Sequence, residues 1–231
     1  GGEVTGWPDG TTRFAGAIDV RGGAAAGNGG FVEVSGKEHL AYVGTVDANG
    51  GQGGQKGTLL LDPGSVEIVG AGGNADSKFL DFSPSNFTYF DVGAPATSTL
   101  TASQIVTQLN GSNVIILVPD APGTLKVSAA VDATGNAGAG NLILSAAGDV
   151  TIDAAVNVKA GSSFQVDGAN VAVNADVNTL AGSGNTWFKA NTGNMAVSAN
   201  VGNRSNAGSQ TQLEALNGSI SGAGTISGDV V

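Results

Sequence analysis

The acidic side chains are the groups in this sequence that could do chemistry, because the chain has 19 Asp plus Glu, one His and no Cys. Two carboxyl groups held close together can cleave a glycosidic bond by general acid–base catalysis. An enzyme that cleaves acidic polysaccharides also needs Lys or Arg to hold the sugar, and between 127 and 231 only Lys159, Lys189 and Arg204 are basic. The sequence therefore favours solvated turn aspartates over catalytic pairs. These aspartates are Asp19, Asp47, Asp132, Asp149, Asp153, Asp167 and Asp176.

His39 is the only histidine, so the sequence offers no histidine metal cluster and no second imidazole for a proton relay. Haem ligation by His39 is conceivable, but we expect a solvated corner residue beside Lys37 and Glu38. The absence of Cys excludes disulfides, thiolate metal sites and a cysteine nucleophile. We therefore predict no catalytic residues, no metal site and no cofactor, and a protein that is not an enzyme.

The 39 glycines do not form a known ion-binding or nucleotide-binding motif. The segments GGQGGQKG and GNAGAGNLILS have the glycines of the repeat-type calcium motif but lack its Asp. Neither Gly27–Gly30 nor Gly50–Gly54 leads into a helix or ends in Lys-Ser/Thr, as a phosphate-binding loop would. The glycines instead predict tight corners between strands, since Gly adopts positive φ at no steric cost.

Aromatic residues supply the remaining candidate site, a patch that would bind a sugar or a protein. Trp7 and Trp187 stand alone in the sequence, and a cluster occupies residues 79–90. Packing within the fold is the alternative that we favour for these residues. If the cluster contacts a ligand or a protein, the residues involved would be Phe79, Phe82, Phe87, Tyr89 and Phe90.

The net charge of −10, with only 9 Lys plus Arg among 231 residues, restricts the partners of the chain. A nucleic-acid-binding protein needs a basic surface, and anionic membranes attract basic segments. We therefore predict neither nucleic-acid binding nor membrane insertion, in keeping with the absence of an apolar run of about 20 residues. The start, GGEVTGW, has the pattern of the middle of a repeat and not of a signal sequence, so we expect a piece of a longer chain.

Two similar units in the first 64 residues define a period of about 28 residues. Residues 13–23, RFAGAIDVRGG, align with residues 41–51, AYVGTVDANGG, at an offset of 28. A shift of 27 places residues 30–34 on residues 57–61. A fixed period between about 20 and 50 residues is typical of a solenoid or array.

A second series, downstream, repeats three apolar anchors with gaps of seven and six residues. Successive triplets start 25, 21, 24 and 25 residues apart. This period is shorter than that of a propeller blade, about 40 residues, and the runs lack apolar residues at helical spacing. The triplets are Val118/Leu125/Val131, Ile143/Val150/Val156, Phe164/Val171/Val177, Phe188/Met195/Val201 and Leu213/Ile220/Ile226.

Alternating runs such as Val150–Asp153 and Val171–Asn174 indicate strands with one face inward and one outward. A coil with three such strands is one turn of a parallel β-helix, in which each coil covers its apolar face against its neighbours. We therefore predict an all-β fold, a parallel β-helix that forms one continuous solenoid. Its parts would be coils of 28-residue period over 1–69, an insertion over 70–112, and coils of 21–25-residue period over 113–231.

The insertion, residues 70–112, is rich in aromatic residues and does not follow the repeat. Its last part predicts a short α-helix, because Thr101 and Gln104 form a capping box and Asn110-Gly111 would end the helix. We expect the insertion to lie outside the helical stack and to pack on it; a plain linker is the alternative. The apolar face of the helix would consist of Ile105, Val106 and Leu109.

Longer motifs resemble the repeat region of filamentous haemagglutinin-like adhesins, the large exoproteins of two-partner secretion. They are WPDGTTRFAGAIDVRGG, GNGGFVEVSGKEHL and GTLLLDPGSVEIV near the start, then TASQIVTQLNGSNVIIL and NLILSAAGDVTIDAAV. The resemblance implies a right-handed parallel β-helix, export through an outer-membrane transporter partner, and display at the surface of a Gram-negative cell. The Asn-Pro-Asn type motif of the family's secretion domain is absent, so the similarity is to the shaft or receptor-presenting region.

The resemblance and the repeats together predict a non-enzymatic segment of a secreted adhesin that acts as a rigid stalk and display surface. Its partners would be the transporter during secretion, then a host receptor, a glycan or neighbouring repeat segments. Two other functions remain open: a haem- or host-protein-binding module that uses the aromatic insertion, and a polysaccharide-acting β-helix enzyme that uses an Asp pair.

Overall fold

The computed structural model describes residues 1–6, 10–71, 97–180, 184–203 and 209–230. Before the one described helix, the strands are β1 (Glu3–Gly6), β2 (Thr11–Phe14), β3 (Ala17–Asp19), β4 (Phe31–Gly36), β5 (His39–Tyr42), β6 (Thr45–Asp47), β7 (Thr58–Pro63), β8 (Val66–Val69) and β9 (Ser98–Thr101). The helix, α1, covers Ala102–Gly111. After it come β10 (Asn113–Val118), β11 (Leu125–Val127), β12 (Val131–Asp132), β13 (Leu142–Ala146), β14 (Val150–Ile152), β15 (Val156–Asn157), β16 (Ser163–Gly168), β17 (Val171–Val173), β18 (Asn185–Ala190), β19 (Met195–Val197), β20 (Gln210–Ala215), β21 (Ile220–Ser221) and β22 (Asp229–Val230).

These strands stack as a parallel β-helix, because neighbours on each face come from successive coils and run in the same direction. The first face is a nine-stranded sheet, β1-β4-β7-β10-β13-β16-β18-β20-β22. The second face contains the pair β2-β5 and the seven-stranded sheet β9-β8-β11-β14-β17-β19-β21. The third face contains the pairs β3-β6 and β12-β15, then single bridges at Val177, Val201 and Ile226. The all-β class and the parallel β-helix are therefore confirmed.

The 28-residue repeat at the start of the chain is confirmed residue by residue. Phe14 pairs with Tyr42 and Asp19 with Asp47. The shift of 27 also holds, since Val34 in β4 pairs with Leu61 in β7. The aromatic rings of Phe14 and Tyr42 stack with centroids 5.5 Å apart, so equivalent positions also pack on each other along the axis.

Two of the three anchors in the downstream triplets are confirmed. Each set forms a ladder along the axis in which every member pairs with its equivalent in the next coil. The second anchors form the ladder Leu125, Val150, Val171, Met195 and Ile220. The third anchors form the ladder Val131, Val156, Val177, Val201 and Ile226.

The first anchors are correct only for Phe188 and Leu213, which pair directly. Val118 and Phe164 are buried but lie two residues away from that ladder, and Ile143 faces outward. First-face strands have up to three inward positions. A constant gap of seven residues selects the wrong one because the number of residues between the first-face ladder and the second-face ladder differs from coil to coil. The true ladder contains Ile116, Leu144, Val166, Phe188 and Leu213.

The core is a column of inward side chains that runs through every coil. Phe164 and Phe188, both almost fully buried, meet edge to face with centroids 6.0 Å apart. Each buried Val, Leu, Ile or Phe contributes roughly 1.5–3 kcal/mol. In the last described coil Ile220 and Ile226 are 47% and 37% exposed, because the core there has a neighbour on one side only.

Helix α1 forms as its sequence predicts. The Thr101 hydroxyl accepts a hydrogen bond from the backbone N–H of Gln104. The Gln104 side-chain oxygen accepts one from the backbone N–H of Thr101, which completes the capping box. The helix ends at Gly111, and the Ser112 N–H donates to Gln108 O at 2.8 Å. Its buried residues are Ala102, Ile105, Gln108 and Leu109.

The expected position of the insertion outside the stack is wrong for its described part, because α1 is built into the wall. The helix contacts β6 on one side and β12 on the other, where a third-face strand would lie. Gln108 holds it there: the amide oxygen accepts from Val46 N at 3.0 Å, and the amide nitrogen donates to Gly44 O at 3.3 Å. A buried amide thus replaces the strand pairing that the helix interrupts.

Strand β9 adds an extra strand to the second face beside the helix. It pairs with β8 and lies next to β5, where the Leu40 N–H donates to Ser98 Oγ at 2.8 Å. Two strands therefore separate β5 from β11, and together they span about 10 Å, which is the diameter of an α-helix. Together β8 and β9 match the helix in thickness, so the stack continues past the insertion.

Candidate functional site

The aromatic residues proposed as a contact site lie outside the described residues. They are Phe79, Phe82, Phe87, Tyr89 and Phe90, and Trp7 lies outside them too. The recurrent aspartates, by contrast, all lie within the described residues.

Asp19 and Asp47 are neighbours on the third face, but they do not form an acid–base pair. Arg21 lies between them, with its Nη2 2.5 Å from Asp19 Oδ2 and its Nε 3.7 Å from Asp47 Oδ2. Hydrogen bonds from Arg21 lower the pKa of Asp19 to about 2. A general acid must hold a proton near the working pH, and Asp19 does not.

Asp149 begins a polar ladder at the corner that precedes the second-face strands. Its Oδ1 accepts from the Asn170 side-chain amide at 2.8 Å and from the Asn170 backbone N–H at 3.2 Å. Asn170 Oδ1 accepts from Asn194 N at 2.8 Å, and Asn194 Oδ1 accepts from Ser219 N at 3.0 Å. Each side chain supports the backbone of the next coil, so this ladder is structural.

The corner that precedes the first face has the same design. Asn113 Oδ1 accepts from Asn141 N at 3.0 Å, and Asn141 Oδ1 accepts from Ser163 N at 2.7 Å. Further along, Asn185 Oδ1 accepts from Gln210 N at 2.9 Å. Side-chain oxygens of Asn and Asp take up backbone donors wherever the chain turns, which is their common role in turns.

Three other aspartates are also engaged at corners. Asp132 accepts from the Thr134 hydroxyl, and Asp176 accepts from Asn200 N at 2.9 Å. Asp153 accepts from the Asn174 amide at 2.8 Å and lies 3.1 Å from the Lys126 ammonium; these two contacts, the first more strongly, lower its pKa. Their bonding agrees with turn aspartates, the interpretation that the sequence favoured.

Asp62, which the sequence suggested only as the end of a strand, has an unusual carboxyl group. Partial burial, followed by the charges of Glu33 and Asp120, raises its pKa to about 6. Glu33 is only 8% exposed, and its Oε1 accepts from Ser35 Oγ at 2.8 Å. Ser35 pairs with Asp62, one residue beyond the segment that the 27-residue shift aligned.

His39 is the first residue of β5 and pairs with Thr11, so the expectation of a solvated corner residue is wrong. Its side chain is half-buried. Within the described ranges, no group of three or more His, Cys, Asp or Glu side chains is arranged to hold a metal ion.

A groove on the outer surface of the first face brings six polar or aromatic side chains together. We call it the Trp187 groove; its volume is about 180 Å³. Strand alternation turns Phe188 into the core and Trp187 outward. The side chains that define the groove are Gln165, Asp167, Trp187, Lys189, Gln212 and Glu214.

The groove has two rows that run along the axis. In one row Trp187 lies between Gln165 and Gln212, and in the other Lys189 lies between Asp167 and Glu214. The sequence drew attention to Trp187 and Asp167 separately. It did not bring the two rows together, because that requires the register of β16, β18 and β20.

A second hollow, of about 450 Å³, lies at the glycine-rich corner before the first face. Gly29, Gly30 and Gly57 form much of its wall. The Lys56 ammonium group at this hollow is held by Asn49 Oδ1 at 2.5 Å and by Asn110 O at 2.7 Å. Its charge therefore stabilises the corner.

These features define the class of the molecule: a parallel β-helix with hydrogen-bonded corners and an amphipathic groove on a sheet face. Comparisons with protein-family models, curated proteins and solved structures found no match to this chain. Among the described residues, no helix has both the length and the apolar character needed to cross a membrane.

Proposed function

We propose that this chain is a non-enzymatic segment of a secreted bacterial surface exoprotein, where it acts as a rigid stalk and display surface for attachment. The observation that carries the proposal is the nine-stranded first face, which passes the helix insertion without a break. A solenoid of this kind is extended and presents one long surface to partners.

Three features of the described coils support rigidity. The core column is continuous, the corners carry polar ladders, and α1 replaces a wall strand with buried hydrogen bonds. At about 4.8 Å for each strand spacing, seven spacings from β1 to β20 give about 34 Å. A stalk built this way holds its two ends at a fixed distance and orientation.

Location and partners form part of the same proposal. The motifs GGFVEVSG and GTLLLDP and the chain's lack of Cys support export as an unfolded chain through an outer-membrane transporter partner and display on a Gram-negative cell. Antibodies raised against the chain should label intact bacteria that express the parent protein. Labelling that appears only after the cells are permeabilised would contradict surface display.

Rigidity can be tested directly because the chain has no natural Cys. Spin labels on the variants Thr5→Cys and Glu214→Cys, combined in one chain, mark the outer surfaces of β1 and β20. We expect one narrow distance distribution centred at about 35 Å, plus the reach of the labels. A broad distribution from a chain that keeps its β circular dichroism would overturn the stalk.

A further inference from the structure

We infer that the Trp187 groove binds a neutral oligosaccharide that lies along the solenoid axis. This deepens the proposed display function, on which its biological role rests, by assigning a ligand class to one place on the surface. Four properties of the groove point to this ligand: its composition, its unused hydrogen-bonding groups, its charge and its direction.

The composition joins an apolar platform to polar neighbours. A half-buried indole lies in the sheet surface, where its flat face can pack on the C–H groups of a pyranose ring. Gln165 and Gln212 are one strand spacing away on either side. An amide both donates and accepts, which suits hydroxyl groups that do the same.

The hydrogen-bonding groups here are largely uncommitted. In the part of the chain that the structure describes, the Trp187 indole N–H, the Lys189 ammonium and the Gln212 amide make no hydrogen bond to protein, and no ion pair within 4.0 Å joins Lys189 to Asp167 or Glu214. The single internal bond runs from Gln165 Nε2 to Asp167 Oδ2 at 2.7 Å. Corner amides such as Asn170 are bonded on both sides.

Charge selects a neutral ligand. Asp167 and Glu214 flank a single Lys189, so the groove carries one net negative charge, and the whole chain carries −10. A uronate or sialylated glycan would meet repulsion with one cation to offset it. Carboxylates still bind neutral sugars, because each can accept hydrogen bonds from two hydroxyl groups.

The direction of the rows favours a chain of sugars over a single one. Equivalent side chains repeat about every 4.8 Å along the axis, which is close to the length of one pyranose unit. A linear glycan on Trp187 therefore has a further polar contact at each neighbouring strand. Upstream, the same outer row continues with Ile143, Ile115 and Leu60, so the polar part ends at Gln165.

Binding can be measured on the whole chain with named probes. The background variant Trp7→Phe leaves Trp187 as the only indole, so its fluorescence reports on the groove. The probes are cellotetraose, maltotetraose and chitotetraose, with tetragalacturonate as the anionic counterpart and an extended tetrapeptide as a non-sugar. We expect at least one neutral tetrasaccharide to bind, to change the emission, and to bind at least tenfold more tightly than tetragalacturonate.

Variants on the unmodified chain, measured by calorimetry, test the assignment. Trp187→Ala should weaken binding at least tenfold, Trp187→Phe should retain most of it, and Gln212→Ala should weaken it several-fold. Ile143→Ala is the matched control, because Ile143 is in the same outer row two strands away from Trp187, and its binding should be unchanged.

Three outcomes would overturn the inference. They are no binding by any neutral probe to folded protein, binding that Trp187→Ala does not weaken, and binding only of tetragalacturonate or of the peptide. None of these would disturb the 35 Å distance between labels, so failure of the glycan site and failure of the stalk are distinguishable.

Discussion

The corners and the outer surface of the first face both carry regularly spaced polar side chains, but these side chains bond differently. At the corners, the side-chain oxygens of Asp149, Asn170 and Asn194 accept hydrogen bonds from backbone N–H groups of the next coil. On the sheet face, Gln212 and Lys189 sit in equally regular rows but leave their polar groups free of protein partners within the described residues. Regular spacing alone therefore does not identify a site.

The difference arises from the backbone. The backbone N–H and C=O groups of a strand in the sheet bond to its two neighbours, so its outward side chains are not needed to satisfy the backbone. A corner leaves backbone groups unpaired, and short Asn or Asp side chains supply the missing acceptors. Recurrent polar residues in a solenoid should be assigned to structure at corners and considered for binding on sheet faces.

The largest effect at a corner is expected at Gly57, where the backbones of two coils approach closely. A Cβ at this position would lie 1.9 Å from Gly30 O, which is backbone and cannot turn away. We expect Gly57→Ala to lower the free energy of unfolding by about 3 kcal/mol. Urea unfolding followed by circular dichroism measures it.

Gly135→Ala is the matched control, since a Cβ there meets nothing within 4 Å. It should change stability by no more than about 0.5 kcal/mol. Equal effects of the two variants would mean that coil spacing is not fixed by the glycine corner.

Asp62 lies near the end of β7, away from Gly57, and burial is the main cause of its raised pKa. Its pKa is about 6 in the fold, above the ordinary value of 3.8, so the folded protein binds more protons than the unfolded chain does between these pH values. Its contribution to the free energy of unfolding must therefore fall as pH rises from about 4 to 6, and stay low above. For a fully buried group, the free energy of unfolding would fall by about 3 kcal/mol over this pH range. Because Asp62 is only partly buried, solvent screening reduces the expected loss to about 1–2 kcal/mol.

Asp62→Asn removes this loss. We expect the variant to gain about 1–2 kcal/mol over the natural chain at pH 7.5, and the gain to shrink towards pH 4. Urea titrations at four pH values measure the difference, which cancels contributions from the other carboxyls. A gain that stays constant with pH would show that Asp62 is not titrating in this range.

Asn170→Ala compares a corner amide with the groove amide Gln212. The substitution removes the hydrogen bonds to Asp149 Oδ1 and from Asn194 N, and both sites are exposed enough for water to replace them in part. We expect a loss of about 1 kcal/mol in the free energy of unfolding. Gln212→Ala should cost less than about 0.5 kcal/mol. Equal losses would remove the distinction between corner and face.

The coil architecture could be predicted because its signals are local or periodic. Phe14 and Tyr42 align by offset alone, and Thr101 and Gln104 identify the helix start. The location of that helix could not be predicted. It depends on Gln108 meeting the backbone of Val46, 62 residues earlier, and on β9 adding width to the opposite face.

The Trp187 groove was predictable only in fragments. Trp187 was visible as an aromatic residue and Asp167 as a recurrent acid, but constant gaps gave the wrong register on the first face. Ile143, used as an anchor, is in fact in the outward row that leads to Trp187. A shift of one residue exchanges the two faces of a strand, so the outer surface needed the observed pairing.

The smallest expected effect concerns the pair of Lys126 and Asp153 on the second face. Their charged atoms are 3.1 Å apart, and the side chains are 48% and 34% exposed. Lys126→Ala should therefore lower stability by less than about 0.5 kcal/mol, and the loss should vanish in 1 M NaCl. Thermal unfolding at low and high salt measures both the loss and its salt dependence.

The control variant Asn174→Ala removes the uncharged partner of Asp153. It should lower stability by the same amount in high salt as in low salt. If instead the loss caused by Lys126→Ala persisted in 1 M NaCl, the stability that Lys126 contributes would not come from this ion pair.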